Sequence, residues 1–388
     1  MTDRFRPSAR MADIAPFHVM EVMGRAQAAA AAGRDIVHME VGEPDFDTAE
    51  PIVEAAVRAQ RAGHTHYTLA LGMTALREAI AGFYLDRYGV RVEPRRVVVT
   101  PGASGALQLV LWALVDPGDE VLMADPGYPC NRNFVRLAGG LPVALPVGPH
   151  SNWQPTAAQI EAALTPRTRA VLLASPSNPT GAVIDRNELQ TIASLLCQRG
   201  VALIADEIYH GLIYGPDSTS ALSCDSEAIV VNSFSKYFGM TGWRLGWTVV
   251  PDALLRSVEK LAQNLFISPP TPAQHAALAA FEPVTLAILE QRRAAFRERR
   301  DVLLPGLRQI GFDIPATPQG AFYIYAGCQR FATDSFAFSL RLLAEAGVAA
   351  TPGLDFGQHT ASTHLRFAYT TSRERIEEAV QRLKDLLA

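Results

Sequence analysis

The sequence predicts an α/β protein with two parts. One is a large domain whose mostly parallel, mixed sheet is sandwiched by helices; the other is a smaller α+β domain built from both chain ends. Three observations carry this. Short apolar runs at 97–100 (VVVT), 121–124 (VLMA), 171–174 (VLLA), 201–205 (VALIA) and 228–232 (AIVVN) alternate with amphipathic stretches such as 106–118 and 187–200. Strands alternating with helices are the mark of βαβ units. The runs are apolar throughout, as expected of a sheet covered on both faces. Beyond residue 285 the pattern changes, which sets the large domain at 46–285 and the small one at 1–45 with 286–388.

Near the N-terminus, the alanine-rich stretch 26–33 reads as a helix closed by Gly33. DIVHMEVGEPDF then reads as a short strand entering a Gly/Pro turn. LGWTVV (245–250) follows AIVVN too closely for a parallel crossover, so the two are expected to pair antiparallel. In the C-terminal part, the charged run QRRAAFRERRDVLLPGLRQIG reads as a long helix. AFYIYAG, a helix at SFAFSLRLLAEAG and the strand THLRFAYT follow. A last helix is expected to open with a Thr371–Glu374 capping box.

The chain has 388 residues, 48% apolar and 19% charged, with a net charge of −4. This suits a globular protein with a large core and excludes a general binder of nucleic acid or anionic membranes. No run is long and apolar enough for a membrane span, and the N-terminus lacks the apolar core of a secretory signal. The four scattered cysteines (Cys130, Cys197, Cys224, Cys328) read as reduced, buried thiols of a cytoplasmic protein. His64 and His66 form an H-x-H pair without further ligands nearby, so no metal is expected.

In an open parallel sheet, ligands bind beyond the carboxyl ends of the strands. The apolar runs are followed by PGASG, DPGYP, SPSNPTG, DEIYH and SFSKYFG. One sheet edge would therefore present Ser104, Tyr128, Asn178, Asp206, Tyr209, Ser233 and Lys236. Together these groups suit a phosphorylated aromatic aldehyde. PGASGAL is a Gly-rich turn entering a helix, either an ordinary helix start or a phosphate cradle. It is neither a dinucleotide fingerprint nor a hydrolase elbow. Arg244 is a surface ion pair or a phosphate clamp. Asp206, after a buried strand, is a helix cap or the partner of a pyridinium N–H. Tyr128 closes a turn or stacks on a flat ring. Asn178 and Tyr209 are turn and core residues or donors to a phenolate. Lys236, alone in SFSKYFGMTGWRLGW with no acidic neighbour in the stretch, is a surface charge unless the set is real. In that case it is an amine of lowered pKa that attacks an aldehyde.

These segments, with VGEPDFDT, HYTLALGMTALREAI, PQGAFYIY and LRFAY, resemble the class I/II aminotransferases of the pyridoxal-phosphate (PLP) fold-type I enzymes over nearly the whole chain. The resemblance implies that Lys236 forms a Schiff base with the cofactor and then shuttles the proton. It implies Asp206 on the pyridine nitrogen, Tyr209 and Asn178 on the phenolate, and Tyr128 on the ring. Ala103, Ser104, Ser233 and Arg244 would hold the phosphate. Arg366 and Gly42 would hold the substrate carboxylate. Tyr67 would reach the phosphate of a second subunit, which implies a homodimer. Some relatives that prefer dicarboxylates carry lysine where this chain has Ser104, leaving a cation such as Arg132 to read a second carboxylate. The expected reaction is amino transfer from an L-amino acid to a 2-oxo acid, with 2-oxoglutarate as acceptor, in a ping-pong cycle. The alternative is a C–S lyase on the same scaffold. A non-catalytic sensor is disfavoured because no helix-turn-helix precedes the core. Phe17, Tyr67, Leu69, Arg132 and the 351–357 loop are candidates for the side-chain pocket.

Overall fold

The computed structural model describes residues 5–215 and 219–388; residues 1–4, the start of the expected small domain, lie outside it. Its strands are β1 (Val37–His38), β2 (Val97–Thr100), β3 (Glu120–Asp125), β4 (Leu141–Pro146), β5 (Thr168–Ala174), β6 (Ala202–Asp206), β7 (Ile229–Ser233), β8 (Gly246–Val249), β9 (Tyr323–Gly327), β10 (Val348–Ala349), β11 (Thr351–Pro352) and β12 (His364–Ala368).

Seven strands form the main sheet in the order β2-β8-β7-β6-β5-β3-β4. Within it only β8 runs antiparallel to its neighbours, β7 and β2, as its short connection requires. Alternate residues of each strand enter different apolar clusters. Val97, Val99, Leu122, Val171 and Val230 face one layer, while Val98, Val121, Leu172 and Val231 face the other. Both faces are thus dry, and each fully buried Val or Leu contributes about 1.5–3 kcal/mol. The strand β4 was not anticipated. Its sequence, LPVALP, carries two prolines and is mostly solvent-accessible. Prolines are tolerated there because β4 is an edge strand paired only with β3.

The two chain ends meet. β1 pairs in parallel with β10, and the helix His18–Ala31 buries Val22 and Ala26 against Ile36, Leu343 and Ala349. β11, β12 and β9 form a three-stranded antiparallel sheet. The charged helix spans Pro283–Ile310. The last helix begins one residue later than expected: Ser372, not Thr371, accepts from the Arg375 N–H, so the Thr371–Glu374 box does not form. Cys197 is exposed rather than buried, while Cys328 is buried, and the cysteines are free. His64 stacks on His275 rather than pairing with His66. Among the described residues no cluster has metal-ligand character, and no helix is long and apolar enough to cross a membrane.

Candidate active site

A cavity of about 290 Å³ opens where β2, β6 and β7 end and β8 begins. Its wall contains Gly42, Ala103, Ser104, Tyr128, Asn178, Asp206, Tyr209, Ser233, Lys236, Arg244 and Arg366. Of the expected site residues only Tyr67 is absent from that wall; its side chain is 80% exposed at the surface. The strand order explains the convergence. Parallel strands deliver the residues that follow them to one edge. β8, running the other way, starts at that same edge and so brings Arg244 to it.

One end of the cavity suits a phosphate. The helix Gly102–Leu114 begins there with no acidic residue in its first turn and no side-chain cap, so its first N–H groups are available. Arg244, in a left-handed conformation at φ 53°, lays its guanidinium against Gly102. A Cβ on Gly102 would lie 2.7 Å from Arg244 Nη2, and its φ of +74° also favours glycine.

At the centre, Asp206 accepts one hydrogen bond, from the Ile208 N–H at 3.2 Å. Burial raises its pKa to about 6, against the pull of that N–H and of Lys236. It is a buried carboxylate short of partners, which a cationic ring N–H would satisfy. Lys236 Nζ donates to the Gly42 carbonyl at 2.8 Å. Burial lowers its pKa to about 8; Glu43 opposes the fall, and Arg366 and Arg244 add to it. The absence of an acidic neighbour in its own stretch was a sound clue, although Glu43 approaches from elsewhere. Tyr209 Oη lies 2.7 Å from Tyr323 Oη. Burial, with Tyr323 beside it, keeps that phenol protonated.

The far end suits a carboxylate. Arg366 is buried between aromatic faces, 4.4 Å from the Tyr323 ring and 5.0 Å from that of Phe356. Its Nη1 donates to Asn178 Oδ1 at 2.9 Å, and Nη2 donates to the Glu40 carbonyl at 2.6 Å and Thr351 Oγ1 at 3.1 Å. Its Nε is buried without a partner. A cation held this firmly, yet with a spare donor, is ready for an incoming anion. Gly42 admits no side chain here, because a Cβ would collide with Tyr323 Oη at 1.9 Å.

Sequence reasoning missed Tyr323, Glu40 and the cavity-facing residues Val19, Met20 and Met23. Tyr323 was signalled by the Y-I-Y alternation, since residues two apart on a strand share a face. Of the side-chain-pocket candidates, Phe17, Thr351, Asp355 and Phe356 line the cavity, whereas Leu69 and Arg132 do not.

The model of the "Aminotransferase class I and II" family matches residues 34–383. A valine–pyruvate aminotransferase of Mycobacterium tuberculosis is 44% identical over 385 residues, covering 99% of this chain and 98% of that protein. An aspartate/prephenate aminotransferase of Thermus thermophilus is 37% identical, covering 98% of each. The crystal structure of an aminotransferase from Mycobacterium tuberculosis superposes with a TM-score of 0.96 at 43% identity, over 98% of this chain and 99% of that one.

Proposed function

Because the chain belongs to the class I and II aminotransferases, we propose that it moves an amino group from an L-amino acid to a 2-oxo acid, with pyridoxal phosphate held in the cavity at Lys236. The observation that carries this is the convergence of Lys236, Asp206, Arg244 and Arg366 on one cavity from four separate segments. Pyridoxal phosphate, when bound, supplies an electron sink for a substrate carbanion. The rest of the work falls to the protein.

Lys236, neutral in a large fraction of molecules because burial pulls its pKa to about 8, is the covalent anchor and then the base that takes the substrate Cα proton. Asp206 keeps the ring nitrogen protonated. Tyr209 and the Asn178 amide donate to the phenolate oxygen, and Tyr128 covers the ring. Ala103, Ser104, Ser233 and Arg244 hold the phosphate. Arg366, with Gly42, orients the α-carboxylate common to every donor and acceptor. Tyr67 and Leu69, both exposed, fit a homodimer in which Tyr67 reaches the phosphate of a second copy. In this reading residues 46–285 form the cofactor domain, and 1–45 with 286–388 form the small one. A cytoplasmic location completes the proposal.

The relatives named above span apolar and acidic donors, so their names support the reaction and leave the side chain open. The test mixes single amino acids with the cofactor-loaded protein and follows conversion to pyridoxamine phosphate, with 2-oxoglutarate or pyruvate returning it. Lys236→Ala is expected to slow turnover by at least about 10²–10⁴-fold, the usual reach of a general base. Full turnover in that variant would overturn the assignment. Pyruvate released from a cysteine conjugate without any acceptor would replace it with a lyase.

A further inference from the structure

Resting on the aminotransferase reading, we infer that the side-chain end of the cavity takes amino acids and 2-oxo acids with an apolar side chain and no second carboxylate. We further infer that Asp355 is the positioning residue that fastens its apolar wall. The sequence-based expectation of 2-oxoglutarate as acceptor is thereby replaced by a monocarboxylic 2-oxo acid, since both half-reactions share one cavity.

The wall is made by the helix His18–Ala31 and the residue before it. Val22 and Ala26 face the body of the protein. Phe17, Val19, Met20 and Met23 line the cavity, with Phe356 across from them. Methionines are unbranched and adapt to side chains of different length.

Charge points the same way. Among the described residues, the cations of the wall are Lys236, Arg244 and Arg366, and each already has an anion or an electrophile to serve. Arg132, the sequence's candidate for a second carboxylate, lies outside the wall and donates Nη2 to the Asp355 carbonyl at 2.7 Å. The carboxylate-bearing residues Glu40 and Asp355 belong to the wall instead. A second substrate carboxylate would lose water among apolar groups and meet like charge.

Asp355 holds the helix in place. Phe17, at the helix N-terminus, provides no side-chain cap. Asp355, 3% exposed, accepts from the His18 N–H at 2.7 Å and the Val19 N–H at 2.8 Å, across more than 330 residues of sequence. It both satisfies free donors and places negative charge at the positive end of the helix. A helix of 14 residues is marginal alone, and this one buries only Val22 and Ala26.

The experiment compares donors (L-valine, L-leucine, L-methionine against L-aspartate and L-glutamate) and acceptors (pyruvate and 4-methyl-2-oxopentanoate against 2-oxoglutarate) on the loaded enzyme. Calorimetry of the unreactive acids 4-methylpentanoate and glutarate gives a reading independent of turnover. The apolar partners are expected to lead by at least about tenfold in kcat/KM, and 4-methylpentanoate to bind more tightly than glutarate. Asp355→Ala should raise KM for L-leucine about tenfold while kcat stays within about threefold, and Asp355→Asn should recover most of the loss. Should Asp355→Ala fail to fold, Met20→Lys, at an exposed position, is expected to swing preference toward L-aspartate and glutarate. A wild-type preference for acidic partners or glutarate overturns the inference, as does an Asp355→Ala that lowers kcat alone for every donor. If no donor transfers its amino group, the aminotransferase reading fails, and the two unreactive acids still decide this one.

Discussion

The two ends of the cavity are built to different standards. The phosphate end rests on the helix Gly102–Leu114, which buries eight residues, among them Leu107, Leu109, Val110, Leu111 and Leu114. The side-chain end rests on the helix His18–Ala31, which buries two. The first end grips a group that never changes, so rigidity there lowers the entropic cost of binding. The second meets side chains of varying shape, so it is tied down at few points and faced with adaptable residues. Invariant chemistry sits on the sheet; variable chemistry sits on a lightly fastened helix.

The most forceful way to break that contrast is at the rigid end. Arg244→Ala removes a charge-assisted hydrogen bond to phosphate, worth about 1.5–3 kcal/mol. Cofactor affinity should therefore fall about 10- to 150-fold, read by equilibrium dialysis of pyridoxal phosphate, while selectivity among donors stays put. An unchanged Kd would mean that the phosphate lies elsewhere.

A milder probe uses pH. Lys236 releases its proton near 8 rather than 10.5, because burial disfavours the charged form. Only the neutral amine attacks the aldehyde. The rate of pyridoxal phosphate uptake by apoprotein should climb close to tenfold per pH unit below about 8 and flatten above it. Stopped-flow absorbance would show this, and a rate still climbing steeply at pH 10 would mean that the lysine is not buried as described.

The contrast also explains what could be read from the chain. Apolar runs ending in polar, glycine-rich segments announced the sheet and its functional edge, because strand period and strand exit are local properties. Lys236, Asp206 and Arg244 were legible for that reason. Arg366 showed only as a cation flanked by apolar strand residues, and its partners Asn178 and Glu40 lie 188 and 326 residues away. Asp355 was illegible as a helix cap, since it serves a helix at the opposite end of the chain. The edge strand β4 escaped because its prolines speak against a strand except at an edge.

The smallest effect separates two adjacent carboxylates. Asp206 belongs to the cavity wall, whereas its neighbour Glu207 is not part of that wall. Glu207 accepts from the Ala221 N–H at 2.7 Å and from Ser220 Oγ at 3.0 Å. Burial raises its pKa to about 8, partly offset by those donors. His210 Nδ1 lies 3.4 Å from it, but burial lowers the His210 pKa to about 3, so this is a contact between neutral groups near pH 7. The folded pKa of Glu207 exceeds its ordinary 4.5. Its contribution to stability is therefore complete below pH 4.5 and is lost as pH rises through about 8. Glu207→Gln keeps the shape and removes the titration; its amide can also donate to His210 Nδ1, which is buried without a partner. The variant should match the wild type within about 1 kcal/mol in mild acid and exceed it by about 1–2 kcal/mol above pH 8, measured by urea unfolding at each pH. Cofactor affinity should stay within about twofold, because Glu207 lies outside the cavity. A large loss of cofactor binding would instead make Glu207 part of the rigid end, and the division between the residue that serves the ligand and the one that serves the fold would have to be redrawn.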